Sequence, residues 1–377
     1  MAGFQDSREN DSYRSFRQRR ALTGSSPAPL VSVLITTYNS SLHLQRCLDS
    51  IKTQSCAPLE VVIVDNASTD RTREILEHQK LKAKVIYNDR NTGFAAAQNQ
   101  GMRAAAGQWL LSLNPDVVLS PGFVEEMVRA GELDACVGAV SGKLLRWQPG
   151  TEQEFSQTID STGIYFTPSL RHLDRGAEER DHGQYEGVEY VFGATGAAAL
   201  YRRKMVEDVS VEGEFFDEQF FAYREDADLA WRAQLMGWRC LYAPRAVAWH
   251  VRRVTPERRG QLPTEINWHS VKNRFLMRVK NISWPLYRRV LLKTSFRDLQ
   301  VIAYCVLLHP KLRSALLAVW KSRSELLHKR DIIQSRRRIS DDQLMSWFSK
   351  KPVSFAFPDP LGPFAQDTAA RPVAGDS

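Results

Sequence analysis

The chain has 377 residues, of which 43% are apolar and 25% charged, a globular composition that excludes wholesale disorder, collagen and coiled coil and leaves room for two domains or one large one. The net charge of +8 is unevenly placed, because Val251 to Ser340 carries 21 Lys and Arg against 5 Asp and Glu. That asymmetry leaves an acidic body and a basic C-terminal part, and points to an anionic partner, either nucleic acid or a membrane surface.

Residues 1–28 are polar, rich in arginine and end in a Gly-Ser-Ser-Pro-Ala-Pro run from Gly24; they read as a disordered tail without the apolar centre of a secretory leader. Order begins at Leu30. Val31 to Ile35 is a short β-branched run typical of a buried strand, and Leu44, Cys47, Leu48 and Ile51 follow at helical spacing. The pattern repeats with a strand at Glu60–Val64 and a helix at Asp70–Leu81, capped by Ser68 or Asp70. A strand at Lys84–Tyr87, a helix at Phe94–Ala105 and a strand at Trp109–Leu113 complete the alternation, which predicts a parallel sheet covered on both faces.

From Lys143 to Glu189 the pattern dissolves into Gly, Pro and charge, predicting hairpins or a mobile insertion. Tyr190 to Tyr201 regains strand character, broken by glycines that allow close approach. An amphipathic helix at Asp226–Met236 and a strand at Arg239–Tyr242 come next. After His250 the chain turns to long basic helices, and after Lys350 to a Pro-rich tail. The apolar run Leu299–Leu308 stops at His309-Pro310-Lys311, short of the roughly 20 residues that span a bilayer. The expected division is a tail at 1–28, a catalytic domain at 29–255, a basic amphipathic helical region at 256–349 and a tail at 350–377. Five scattered cysteines, Cys47, Cys56, Cys136, Cys240 and Cys305, are odd in number and never spaced as CxxC. They fit a reducing compartment better than a disulfide framework or a zinc site.

Ligands of such sheets bind beyond the carboxyl ends of the strands, and three polar clusters stand there: Thr36-Thr37-Tyr38-Asn39, Asp65 to Asp70, and Asn114-Pro115-Asp116. Neither a dinucleotide GxGxxG nor a P-loop is present. A nucleotide held without glycine-rich loops needs stacking, a carboxylate on its base and a cation on its diphosphate. Tyr38, Asp65 and Asp116 can supply or hold these in turn.

Together the segments VSVLITTYN (31–39), VVIVDNASTD (61–70), NTGFAAAQNQG (91–101), LSLNPDVVL (111–119), GATGAAALYRR (193–203), FDEQFFAYREDADLAWR (216–232) and APRAVAWH (243–250) resemble the family 2 glycosyltransferases. The resemblance implies an α/β GT-A fold: a Rossmann-like, mostly parallel central sheet with helices on both faces, here followed by the basic helical region. Within the family, NPD and EDADLAWR look most like the bacterial branch that uses dTDP-rhamnose. Carried over by motif, the resemblance implies that Thr36, Tyr38, Asn39 and Asp65 hold a pyrimidine nucleotide. Asn91, Gly93, Phe94 and Asn99 would make further donor contacts. Asn114 occupies the first place of the family's Asp-x-Asp, so Asp116 becomes the principal ligand of Mg²⁺ or Mn²⁺, with His250 completing the site. Asp226 matches the catalytic base, and its neighbours Glu225 and Asp228 compete for that role.

The resemblance implies an inverting, metal-dependent transferase acting from a nucleotide-sugar donor onto a lipid-linked or polysaccharide acceptor. A sugar-nucleotide nucleotidyltransferase would need a glycine-rich basic loop after the first strand, where TTYNSS stands instead. A nucleic-acid-binding protein would leave the acidic loops unexplained. The expected partners are therefore the donor, the acceptor and an anionic membrane surface, with no nucleic acid. The expected location is the cytoplasm, peripheral to the inner face of the cell membrane.

Overall fold

The computed structural model describes residues 30–56, 59–151, 154–252 and 263–357; the expected tail at 1–28 lies outside them. The strands β1 (Val31–Thr37), β2 (Leu59–Asp65), β3 (Lys84–Tyr87) and β4 (Trp109–Leu113) pair in parallel in the order β3-β2-β1-β4. Both β1 and β4 are buried along their whole length, as a strand sandwiched between helix layers must be. Alternate side chains of β1 fall into two cores. Val31, Val33 and Ile35 join Leu44, Cys47, Leu48 and Ile51 of helix α1 (Leu44–Lys52). On the other face Leu34 meets the core that holds Ala95 and Met102, while α2 (Thr72–His78) precedes β3. Ala95 and Met102 belong to α3 (Phe94–Ala104).

Beyond β4 the sheet becomes mixed. The chain passes through β5 (Val117–Leu119), α4 (Phe123–Gly131), β6 (Val137–Trp147), β7 (Phe155–Ser161), β8 (Ile164–Phe166), β9 (His172–Asp174) and β10 (Glu189–Val191). It continues with β11 (Ala198–Arg202), α5 (Arg203–Val209), α6 (Glu225–Leu235) and β12 (Arg239–His250). β11 lies antiparallel between β4 and β6, and β12 runs parallel to β6. The stretch after Lys143 that composition reads as hairpins or a mobile insertion thus carries the end of a core strand as well as a true hairpin, β8–β9. Its charges are paired rather than solvated: buried Lys143 meets Asp181 at 2.9 Å and Glu186 at 2.6 Å. The strand expected at Arg239–Tyr242 runs on to His250, because register shifts between Ala243 and Val247 accommodate Pro244 and the exposed Arg245.

Five helices follow: α7 (Thr264–Asn281), α8 (Trp284–Ala303), α9 (Arg313–Lys321), α10 (Arg323–Ser335) and α11 (Asp341–Met345). They share one apolar core with the sheet, to which they add Leu276, Leu286, Ile333 and Leu344. Chain expected to be a tail from 350 is instead described as far as Phe357, and β13 (Phe355–Ala356) pairs with β10; only 358–377 fall outside the described residues.

The basic side chains of α7 correct the amphipathic expectation. Lys272, Arg274, Arg278 and Lys280 are buried, not displayed. Lys280 pairs with Asp217 and with Asp228 (3.0 Å), Asp228 with Arg232 (3.1 Å), and Asp217 with Lys329 of α10 (2.9 Å). Sequence spacing puts these charges on a helix but says nothing of the acids that meet them. Burial alone would raise the Asp217 carboxyl, but Lys280 and Lys329 hold it well below the usual carboxylate range. Its stabilising contribution is therefore present at neutral pH and lost as the pH falls below the ordinary aspartate value. Lys280→Met leaves two buried carboxylates short of a cation and should cost about 3–5 kcal/mol. Urea unfolding at pH 7 checks this; a loss within error would mean that the network carries no net stability.

Candidate active site

The carboxyl ends of β1 and β4 face the point where strand order reverses, with β2 on one side of β1 and β4 on the other, which is where sheets of this kind leave a crevice. An open cleft of about 370 Å³ lies there, lined by Thr36, Tyr38, Asn66, Asn91, Gly93, Phe94, Asn114 and Asp116 and closed from the other side by Tyr223 and His269. Tyr38 is half exposed in it, and the buried Thr36 Oγ1 has no hydrogen-bond partner among the described residues. A ring and an unspent hydroxyl are what a planar base and a ribose would use.

The residues expected at the donor divide into two groups. Thr36, Tyr38, Asn91, Gly93, Phe94, Asn114 and Asp116 line the cleft. Asp65 does not: it is fully buried and accepts from Thr37 Oγ1 (3.0 Å), Arg73 Nε (2.8 Å) and the Ser68 N–H (3.2 Å). Asn66 stands in the cleft instead. Asn39, at φ 49°, turns its side chain to accept from the Thr69 and Asp70 amides, so it locks one loop to the next. Asn99 is buried and exchanges hydrogen bonds with the Phe216 backbone at 2.7 and 2.9 Å. It fastens α3 to the segment before α6. Gly93 is required by shape: its φ is 88°, and a Cβ would fall 2.5 Å from the Phe221 ring.

A second, larger cleft of about 670 Å³ opens beside the first and shares Phe94, Asn114, Asp116, Ala222 and Tyr223 with it. Glu225 and Asp226 enter this cleft from the first turn of α6, opposite His250, Arg252 and Asp174. Phe221, Tyr223 and Arg224 lead into that turn with φ of 63°, 72° and 73°, a strained path for side chains that ordinarily avoid this region. Asn273 of α7 holds it in place by donating to the Phe220, Ala222 and Tyr223 carbonyls at 2.9, 2.8 and 2.7 Å.

The three acids have different surroundings. Asp228 is spent in the Lys280–Arg232 network and in a 2.8 Å bond from Asn281, so it takes no part in the cleft. Asp226 accepts the Gly196 N–H at 2.9 Å and the Ala227 N–H at 2.7 Å. Glu225 Oε2 is buried without a partner among the described residues. Burial, then the neighbouring Asp226 charge, lift the Glu225 carboxyl to about 8. Burial raises Asp226 too, against the pull of the Gly196 N–H. Backbone donors favour the anion, so the shared proton sits on Glu225 and Asp226 carries the charge.

Asp116 Oδ1 lies 3.6 Å from His250 Nε2, and the other ring nitrogen lies 2.8 Å from Asp160 Oδ2. Burial would lower the imidazole, but Asp160 and Asp116 lift it to about 10. Without a cation the ring thus keeps both its protons; once the Nε2 proton is released, a carboxylate and an imidazole whose far nitrogen is fixed by a second carboxylate form a donor set that suits a divalent cation. Among the described residues no group of three or more His, Cys, Asp or Glu converges as a closed metal site. The two groups therefore fit an ion that takes its remaining ligands from a diphosphate. Asp160 and Asn273 were not legible in the sequence, since each is defined by partners distant in the chain, and Asn66 and Tyr223 lay inside quoted motifs without being singled out.

A nucleotide-sized crevice at the switch point, an adjoining acid-lined cleft and a mixed sheet continuing the parallel one define a GT-A fold. Residues 32–210 match the family described as glycosyl transferase family 2. The N-acetylglucosaminyl-diphospho-decaprenol L-rhamnosyltransferase of Mycobacterium tuberculosis is 27% identical over 240 residues, 59% of this chain and 76% of that one. EpsH of Bacillus subtilis is 27% identical over 207 residues, 52% of this chain and 55% of its own. The chain thus spans little more than half of EpsH. Among solved structures, S. aureus TarS 1–349 with UDP-GlcNAc aligns with a TM-score of 0.50 at 16% identity, covering 87% of this chain and 99% of that one.

Proposed function

We propose that the chain is an inverting glycosyltransferase that moves a sugar from a nucleotide-sugar donor to a lipid-linked or polysaccharide acceptor in cell-surface glycan synthesis. The donor sugar is rhamnose carried by dTDP. The sugar assignment rests on the NPD and EDADLAWR motifs and on the rhamnosyltransferase relative. The observation that carries the reaction class is the junction of two clefts at Asn114, Asp116 and Tyr223, with a charged Asp226 in the second.

In this reading Thr36 and Tyr38 seat the nucleotide, and the acceptor hydroxyl sits against Asp226. Asp226 takes the hydroxyl proton as the acceptor oxygen bonds to the anomeric carbon. The bond from that carbon to the nucleoside diphosphate breaks on the opposite face, which inverts the centre. Glu225, holding its proton, keeps a second charge out of the cleft. Asp116 and His250 would hold Mg²⁺ or Mn²⁺, which when bound offsets the charge of the departing diphosphate. The enzyme works in the cytoplasm at the inner face of the membrane, and no nucleic acid takes part.

Thermal-shift screening against nucleotide sugars, with and without Mg²⁺ or Mn²⁺, tests the donor reading. The expected result is the largest stabilisation by dTDP-rhamnose with the cation. Stabilisation only by a nucleoside triphosphate together with a sugar phosphate would overturn it in favour of nucleotidyl transfer.

A further inference from the structure

Among the described residues, thirteen of the seventeen large apolar side chains that stand exposed fall between Trp284 and Leu327. They form a defined surface. On α8, Leu286, Val290 and Thr294 face the protein, whereas Leu292, Phe296 and Leu299 lie on the opposite side at i, i+4 and i+7, exposed by 85%, 66% and 65%. A π-helical turn, Tyr304–Leu308, ends α8 with Leu307 and Leu308 exposed by 75% and 70%, and Trp320 of α9 stands out beyond the Pro310 turn.

The charge on this surface is mainly of one sign. Residues 284–327 contain eight Lys and Arg and two acids, Asp298 and Glu325. Asp298 points inward and receives Arg274 at 3.2 Å and Arg278 at 2.6 Å, and Glu325 meets Lys329 at 3.2 Å. Arg288, Lys293, Lys311 and Lys321 are exposed and have no ion pair among the described residues. No helix of the described residues is long and apolar enough to cross a bilayer, so contact would be made by lying on one.

We propose that α8, the Tyr304–Leu308 turn and α9 form a docking face for an anionic lipid bilayer. Leu307 and Leu308 enter the acyl boundary, and the surrounding Lys and Arg meet the headgroups. A protein partner would offer no reason for an apolar ridge ringed mainly by cations, whereas an anionic bilayer matches both features. The face also stands beside the site. Trp268 Nε1 of α7 donates to Ser314 Oγ of α9 at 2.9 Å, and the same helix lines both clefts through Ile266. This placement deepens the proposed function: a lipid-linked acceptor would keep its lipid in the bilayer while its sugar reaches Asp226.

Co-sedimentation of the full chain with phosphatidylglycerol–phosphatidylethanolamine vesicles, compared with phosphatidylcholine vesicles, tests the proposal. Binding to the anionic vesicles, released by high salt, is expected. Leu307→Ser with Leu308→Ser, and separately Lys293→Glu with Lys311→Glu, should each weaken it by about tenfold or more. All four side chains are exposed, so both variants should melt like the native chain and retain the donor-induced thermal shift. Absence of the native chain from the anionic pellet would overturn the proposal, as would binding that neither variant weakens. A dimer in light scattering that the Leu307/Leu308 variant dissociates, without vesicle binding, would assign the face to a second copy. The donor shift is read separately: donor binding without vesicle binding removes only the docking face, and vesicle binding without any donor shift removes only the transferase reading.

Discussion

Asp226→Asn is expected to lower transfer about 10²–10⁴-fold, the usual cost of losing a general base, while leaving donor binding intact. The amide oxygen can still accept the Gly196 or Ala227 N–H that Asp226 now accepts at 2.9 and 2.7 Å, so the turn keeps its shape. What it cannot do is take a proton. Glu225→Gln should be far milder, because Glu225 already carries its proton and gains no partner when ionised. The two variants also separate in stability. The folded chain holds a proton on Glu225 from its ordinary 4.5 up to about 8, where the unfolded chain has released it. The folded state therefore binds more protons across that window, and stability falls as pH rises through it. Removing the charge lifts that penalty, so Glu225→Gln should melt higher than the native chain at pH 8 and alongside it at pH 4. Progress curves at saturating donor, with melting curves at both values, test the pair. An inactive Glu225→Gln beside an active Asp226→Asn would exchange the two roles.

The parts of this molecule legible in the sequence are those written over short distances. β1 to β4 were readable because each is a short β-branched or apolar run followed by a helix of regular spacing, and the three polar clusters after them sit at strand ends. What stayed hidden depends on partners far along the chain. Lys280 and Arg274 read as surface cations, and only the arrival of Asp217, Asp228 and Asp298 turns them inward. β6 was unreadable because its eleven residues mix Gly, Ser, Lys and Arg with apolar ones, and its two edges pair with β11 and β12, strands distant in the chain. Asp65 and Asn99 show the converse. Their motifs mark them as donor contacts, and the fold adds what the motifs do not say: hydrogen bonds by which they brace the loops that carry Thr36, Asn66 and Phe216.

Asp116→Ala should abolish cation-dependent donor binding and turnover while the fold persists. Asp116 sits just after β4 at the seam of the two clefts, partly accessible, with His250 Nε2 3.6 Å from its Oδ1. Its loss leaves Asn114 and His250 as the nearest donors, neither of which supplies negative charge, and a hard dication on a diphosphate takes at least one carboxylate. His250→Ala should weaken cation affinity by about 10–100-fold without eliminating it, and Asp160→Asn should act through the imidazole it orients with a similar reduction. Calorimetric titration of a nucleoside diphosphate in the presence and absence of Mn²⁺ separates these cases. The native chain should bind far more tightly with the ion, His250→Ala should keep part of that enhancement, and Asp116→Ala none. An Asp116→Ala protein that still gains affinity from Mn²⁺ would place the cation elsewhere and leave Asp116 as a wall residue between the two clefts.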